Sequence, residues 1–394
     1  MQRVLMTADP VGGVWDYALE LARGLSDLQI STVLAVMGGR RSDAQRAASE
    51  AVPGLLVEEG DFRLEWMRDA DIDLIEAGRW LLALEETHRP DIVHLNNYAH
   101  ATLPWRAPCL VVAHSCIASW WCAVKRSPLP RDLSSYTDMV AAALQGANAV
   151  VAPSQSLLAA LQPLYGPLPG ARVIHNGRSA AAFPALAKEP FVITAGRAWD
   201  EAKNIRALDE IAPALPWPIY LAGDCRGPDD AGWQPCNLTP LGRLPSDDLA
   251  RWLGRAAIFA LPAHYEPFGL TALEAALAGC ALVLGDNPTM RELWEGAALF
   301  VPPDDRAQLA AAIHQLIRRP HLRDALGAAA RARAHRYNAP AMTQAYRGLY
   351  QEIIADRRSP VGTRVGAPVG VGVGVGADAG TGVGSADIVT PALI

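Results

Sequence analysis

The 394-residue sequence predicts an α/β protein built from two doubly wound parallel-sheet domains. Three observations carry that reading. Short Val-, Ile- and Leu-rich runs recur along the chain, each followed by a segment of helical spacing, as expected when strands buried on both faces alternate with covering helices. The length exceeds what one ordinary core holds and suits about two domains. Residues 176–190, NGRSAAAFPALAKEP, are polar, rich in Pro and Ala and without a period, and so form a linker between halves.

In the first half the strand candidates are residues 3–6, 32–37, 91–95, 109–113, 149–152 and 172–174. In the second they are 191–195, 218–222, 257–261, 281–284 and 299–301. The first helix shows its period well: Val14, Ala18, Leu21, Leu25 and Leu28 step along one face, which must pack on a sheet. The domain boundary falls near 185, giving units 1–185 and 186–340, then a C-terminal helix within 341–357 that follows Pro340. From 358 to 394 the chain turns into near alternation of Gly with Val, Ala and Thr (PVGVGVGVGADAGTGVG), where glycine makes ordering costly; disorder is expected there. That run lacks the G-x-G-x-x-G spacing and the strand-to-helix context of a dinucleotide loop.

The composition is globular, with 51% hydrophobic and 19% charged residues. A formal charge of -6 argues against nucleic acid as a partner, because phosphate backbones attract basic surfaces. The N-terminus reaches Asp9 after a short apolar run, unlike a signal peptide, and no apolar run approaches the ~18 residues of a membrane span. The six cysteines show no C-x-x-C pair, which points to buried free thiols in a reducing compartment. A cytoplasmic location is therefore expected, with a peripheral contact at the inner membrane face as its variant.

Chemistry concentrates at strand ends. HYEPFGLTALEAALAGC, residues 264–280, sets Glu266 and Glu274 across the junction of a Pro/Gly turn with an Ala/Leu-rich helix. The first turn of a helix offers unpaired N–H groups and partial positive charge, a place for an anion, and the carboxylates can accept sugar hydroxyl protons. Thr271 and Glu274 also have the spacing of a capping box, in which both side chains merely finish helix ends. Gly12 and Gly13 lie between the first strand and the first helix, where they either let backbone approach a phosphate or serve a turn that needs positive φ.

In GRAWDEAKNI, Arg197 and Lys203 follow a strand end. They would neutralise a diphosphate there, or else pair on the surface with Asp200, Glu201 or Asp209. His114 ends the run CLVVAHS and is favoured for function; His94, in DIVHLNN, is favoured for structure. Asp69, Asp71 and Asp73 form overlapping D-x-D patterns in a charged context that suits a solvated helix or loop, so no metal is expected. Residues 120–133, WWCAVKRSPLPRDL, interleave aromatics with Lys125, Arg126 and Arg131; a glycan or anionic lipid is one reading and a partly buried connecting loop the other.

Taken together, these pieces resemble the retaining glycosyltransferases of family 4, which have the GT-B fold. The match runs in order from VLMTADPVGGVWDYALELARGL through VVAHS, VVAPSQSL and VIHNG to TAGRAWDEAKNI, YLAGD, LGRLPSDDL and the E-x7-E element with its P-F-G-L, across about residues 1–355. The resemblance implies two Rossmann-like domains facing a cleft, the first on the acceptor side and the second binding a nucleotide-diphosphate sugar. It implies that Arg197 and Lys203 hold the diphosphate, that Glu274 binds the ribose hydroxyls and that Glu266 faces the donor sugar. Phe268, Gly269 and Leu270 would supply amides near the sugar and phosphates, Gly12 and Gly13 the loop that closes over the donor, and His114 the histidine near sugar and acceptor. It implies a hexosyl-type, metal-independent transferase without a cofactor, passing a sugar to a hydroxyl acceptor (a glycan, lipid-linked sugar or small molecule) in polysaccharide or glycolipid synthesis. Two departures stand out: Arg178 follows N-G where an apolar residue and then an acid are common, and AGDCRGPDD lacks a second glycine close behind YLAGD. Neither is given a role. The competing functions are a non-catalytic nucleotide-sugar sensor or assembly partner, and a nucleotide-sugar epimerase of the same architecture; product analysis separates them. A dehydrogenase is disfavoured by the missing dinucleotide fingerprint.

Overall fold

A computed structural model describes residues 1–67, 69–168, 170–227 and 232–358. The glycine-rich tail, and residues 228–230 of the segment behind YLAGD that departs from the family pattern, lie outside the described residues.

The chain lays down β1 (Arg3–Ala8), α1 (Gly13–Asp27), β2 (Ser31–Val36), α2 (Asp43–Glu50), β3 (Leu55–Glu59), α3 (Asp71–His88), β4 (Ile92–Leu95), β5 (Cys109–Val112), α4 (Ile117–Val124), α5 (Ser134–Gly146), β6 (Ala149–Ala152), α6 (Gln155–Tyr165) and β7 (Arg172–Val173). The second half adds β8 (Glu189–Ala195), α7 (Arg206–Ile211), β9 (Ile219–Ala222), β10 (Thr239–Gly242), α8 (Ser246–Arg255), β11 (Ala256–Leu261), α9 (Leu270–Leu277), β12 (Ala281–Gly285), α10 (Pro288–Trp294), β13 (Ala298–Val301), α11 (Arg306–Arg318), α12 (Pro320–Ala334) and α13 (Ala339–Arg358).

The two sheets are wound alike. Their orders are β3-β2-β1-β4-β5-β6-β7 and β10-β9-β8-β11-β12-β13, and every pairing is parallel. In each, the winding reverses beside the first strand, and the crevice outside the carboxyl ends of such a switch is where open α/β sheets bind ligands. Apolar layers cover both faces of both sheets. The interior strands are those expected from the sequence. The unexpected ones, β3 and β10, are edges: β3 has no fully buried residue, and β10 is mostly exposed and carries Pro240. An edge strand buries little, so its sequence carries little apolar signal.

Two further expectations are corrected. Helix α1 buries more than one face, because α13 packs against its far side; Gly24 permits the approach, since a Cβ there would collide with the Thr343 side chain. The linker is packed in part, with Asn176, Arg178 and Phe183 all buried. All six cysteines are unpaired, yet only Cys109, Cys116 and Cys280 are buried, while Cys122 and Cys236 are exposed.

Candidate active site in the interdomain cleft

A cavity of about 290 Å³ opens where the carboxyl ends of the two sheets face each other. The first half contributes the turns after β1, β5, β6 and β7, and the second contributes those after β8, β9, β10 and β11. Gly12, Gly13, His114, Arg197, Lys203, Glu266, Phe268, Gly269, Leu270 and Glu274 all line this one cavity.

The β1–α1 turn is set by Asp9, whose Oδ1 accepts from the amides of Val11 and Gly12 at 2.9 and 3.3 Å. Asp9 was not foreseen, although Asp-Pro ahead of Gly-Gly is a turn signal. Gly12 caps α1 with φ −135°, so positive φ is not what the turn needs. At Gly13 the need is space: a Cβ there would lie 3.2 Å from Leu270 Cδ1 in the other domain.

On the opposite wall, Gly196 (φ +148°) and Gly223 (φ +140°) press backbone against backbone, and a Cβ on Gly223 would stand inside the Gly196 carbonyl. Both line the cavity, and Gly223 is a second unforeseen residue. Arg243 closes the floor: its Nη2 donates to the Pro10 carbonyl across the cleft at 2.7 Å.

The cations do not pair as the surface alternative expected. Lys203 Nζ lies 2.6 Å from Glu266 Oε2, with both side chains largely buried, rather than on Asp200, Glu201 or Asp209. Arg197 does bind Asp200, Nη2 to Oδ2 at 3.0 Å, but Asp200 is a buried anchor rather than a surface acid. Its other oxygen accepts from Trp120 Nε1 at 3.2 Å and from the Ala202 amide at 2.9 Å. The segment from Trp120 onward thus straps the halves together, with Lys125 on Glu201 at 2.6 Å and Arg126 on Asp304 at 3.0 Å.

Helix α9 begins at Leu270 behind Gly269, which takes φ +85° as its N-cap without any side-chain bond. The alternative reading of Thr271 and Glu274 as a capping box does not hold, because Thr271 is already inside the helix and cannot cap it. Leu270 and Thr271, in the first turn, line the cavity, and no side chain caps the amides there, which suits an anion. Phe268 is buried in the second core, its ring beside those of His175 and Tyr337. Glu274 is buried too, and Arg178 Nε stands 2.9 Å from its Oε1.

The histidines divide as expected in position. His94 is fully buried and its Nδ1 accepts from Tyr350 Oη at 2.5 Å. His114 reaches the cavity. Asn96 orders both rings: its Nδ2 donates to the Thr7 carbonyl at 2.7 Å, so its Oδ1 must be the acceptor for His114 Nε2 at 2.9 Å and His94 Nε2 at 3.1 Å. Each ring is then neutral with its proton on Nε2, and burial pushes both histidines from 6.5 down to about 3. Asp71 and Asp73 sit in the first turn of α3, away from the cavity, and among the described residues no cluster of three or more His, Cys, Asp or Glu could hold a metal ion.

The cleft has known counterparts. A family model described as Glycosyltransferase Family 4 matches residues 11–181, and one described as Glycosyl transferases group 1 matches residues 236–333. Glycogen synthase of Mycobacterium tuberculosis is 29% identical over 303 residues, covering 70% of this chain and 71% of that protein. Sucrose-phosphate synthase from Thermosynechococcus elongatus shares the fold with a TM-score of 0.76 at 18% identity, over 90% of this chain and 100% of that one. The Anabaena protein HepE, solved in complex with UDP-glucose, does so with a TM-score of 0.70 at 16% identity, over 89% and 100%. With each wall of the cleft matched by its own model and the two-sheet arrangement shared along nearly the whole described chain, this protein belongs to the family 4 glycosyltransferases of GT-B fold.

Proposed function

We propose that this glycosyltransferase moves a hexosyl group, with retention, from a nucleotide-diphosphate sugar to a hydroxyl acceptor in polysaccharide or glycolipid synthesis, without a metal. The observation that carries the reading is the convergence of Arg197, Lys203, the α9 amides, Glu266 and Glu274 on one cavity between the halves. The relative named glycogen synthase and the fold neighbour solved with UDP-glucose support a nucleotide-sugar donor.

In the ligand-free cleft Lys203 is held by Glu266 at 2.6 Å. An arriving diphosphate competes for that ammonium, which has three N–H donors, and Arg197 keeps unused guanidinium donors beyond its bond to Asp200. Glu266 then turns to the sugar. As the glycosidic bond breaks, charge grows on the departing phosphate oxygen, and two fixed cations plus helix-end amides stabilise it without having to reorganise. The acceptor hydroxyl attacks from the same face and gives its proton to that oxygen, so no strong protein base is needed. This agrees with His114, whose burial keeps it neutral and whose Nδ1 can only accept.

The test is a thermal-shift screen with UDP-, GDP- and ADP-sugars, followed by product analysis. A donor at 100 times its dissociation constant adds about 2.7 kcal/mol of stability. No shift with any of them, or binding without transfer to any acceptor, overturns the proposal.

A further inference from the structure

One buried cation behind the cleft wall has no part in the transfer described above. Arg178 leaves the segment that joins the two sheets and ends between α1 of the first domain and α9 of the second. Its Nη1 donates to Glu20 Oε2 at 3.1 Å, and its Nε stands 2.9 Å from Glu274 Oε1 with the N–H directed off the oxygen. All three side chains are less than a tenth exposed. The cation is also pinned from behind. Its amide donates to the Tyr337 carbonyl at 3.1 Å, its backbone pairs with Asn338, and its guanidinium lies over the Phe183 ring at 5.1 Å.

Glu274 lines the cavity and Glu20 does not. Removing a buried carboxylate's cation leaves an uncompensated charge, which the group relieves by taking a proton. The charged groups facing Glu274 are Arg178 from the crossing segment and Asp16 and Glu20 from α1. Burial, with those two acids, pushes Glu274 up to about 7, and Arg178 acts against them. A protonated carboxyl turns one of its acceptors into a donor and cannot accept from two neighbouring hydroxyls in the same way.

We infer that Arg178 is a positioning residue for the donor's ribose, holding the Glu274 carboxylate in place for the 2′- and 3′-hydroxyls and tying that contact to α1 of the first domain. The inference rests on reading Glu274 as the ribose ligand. It gives a role to Arg178, the first of the two positions after N-G where the sequence leaves the family pattern.

The experiment is calorimetric titration of the full chain with UDP, ADP and GDP, and then of the tightest binder against its 2′,3′-dideoxy form, for wild type, R178M and R178K from pH 6 to 8.5. Above pH 7, where Glu274 is ionised, wild type should prefer the ribose form by roughly 10- to 100-fold, the worth of hydrogen bonds to a charged group. R178M should lose most of that preference near neutral pH and regain it only at higher pH, while the dideoxy ligand binds as before. R178K, which keeps the charge but not the fork, should fall between. Full preference in R178M at an unmoved pH midpoint overturns the inference alone. A wild type indifferent to the ribose hydroxyls overturns the Glu274 reading and this inference with it. Should R178M lose both ligands alike, its fold has failed, and R178K decides: a reduced preference supports the inference and an unchanged one overturns it.

Discussion

The two halves of the cleft are wound in the same strand order around the same kind of switch point, yet they bring opposite chemistry to it. The first sheet presents glycines, a turn tied by Asp9, and two neutral histidines ordered by Asn96. The second presents Lys203, Arg197, Glu266 and a helix start, all charged or partially charged. Topology therefore fixes where a ligand lies and leaves the chemistry to the turns. The first half supplies shape, neutral hydrogen bonds and the acids Asp9 and Asp16; the second supplies the cations.

That division can be broken in several places. The largest effect belongs to the charged wall. Lys203→Ala should lower turnover by about 10²–10³, the usual cost of losing one group that stabilises developing charge. Unaltered turnover in a rate assay with the identified donor would remove Lys203 from the chemistry. Next come the glycines, which serve the two walls differently. Gly223→Ala puts a Cβ into the Gly196 carbonyl at φ +140° and should cost about 3 kcal/mol in denaturant unfolding. Gly13→Ala meets only the flexible end of Leu270, at 3.2 Å, and should cost less than about 1 kcal/mol. Equal costs would mean that the two turns are not built on different principles.

The neutral wall is exposed by acid. Below pH 6.5 the unfolded chain takes up a proton at His94 while the folded protein, with that group held at about 3, does not. Stability is thus complete above pH 6.5 and is lost as pH falls toward 3, by about 1.4 kcal/mol per unit for each such histidine. Melting temperatures between pH 8 and 5 should show this slope, and His94→Gln should remove one proton's share of it. An identical slope in the variant would show that His94 does not carry it. A further modest effect lies where the walls meet. Glu292 accepts from the amides of Gln155 and Ser156 at 2.9 and 2.7 Å, a carboxylate of one half capping α6 of the other. Glu292→Ala should cost about 1 kcal/mol in urea unfolding, and a larger loss would mean that the halves depend on this cap more than on their cores.

Much of this was legible in the sequence. The interior strands announce themselves because both faces are covered and the whole run must be apolar; β3 and β10 do not, because an edge is released from that demand. The positions lining the cavity were legible as strand ends and glycine turns. Their pairings were not. Lys203 has Asp200, Glu201 and Asp209 among the acids nearer in sequence than Glu266, and only the close approach of the strands β8 and β11 selects the distant one. Thr271 shows the limit of a local rule, since Gly269 starts the helix with φ +85° and leaves the capping spacing without a cap. Arg178 could have been suspected from its place after N-G, but its two carboxylate partners come from different domains, and no local pattern joins them.

Helix α13 has a consequence for inheritance. It follows the second domain's helices in the chain, yet Met342, Tyr346, Tyr350 and Ile353 fill the apolar layer under the first sheet, with Tyr350 bound to His94. A single recombination event near residue 185 would give a new first half a foreign floor. Exchange of first halves between relatives requires two crossovers, so that the N-terminal segment and its distant closing helix travel together.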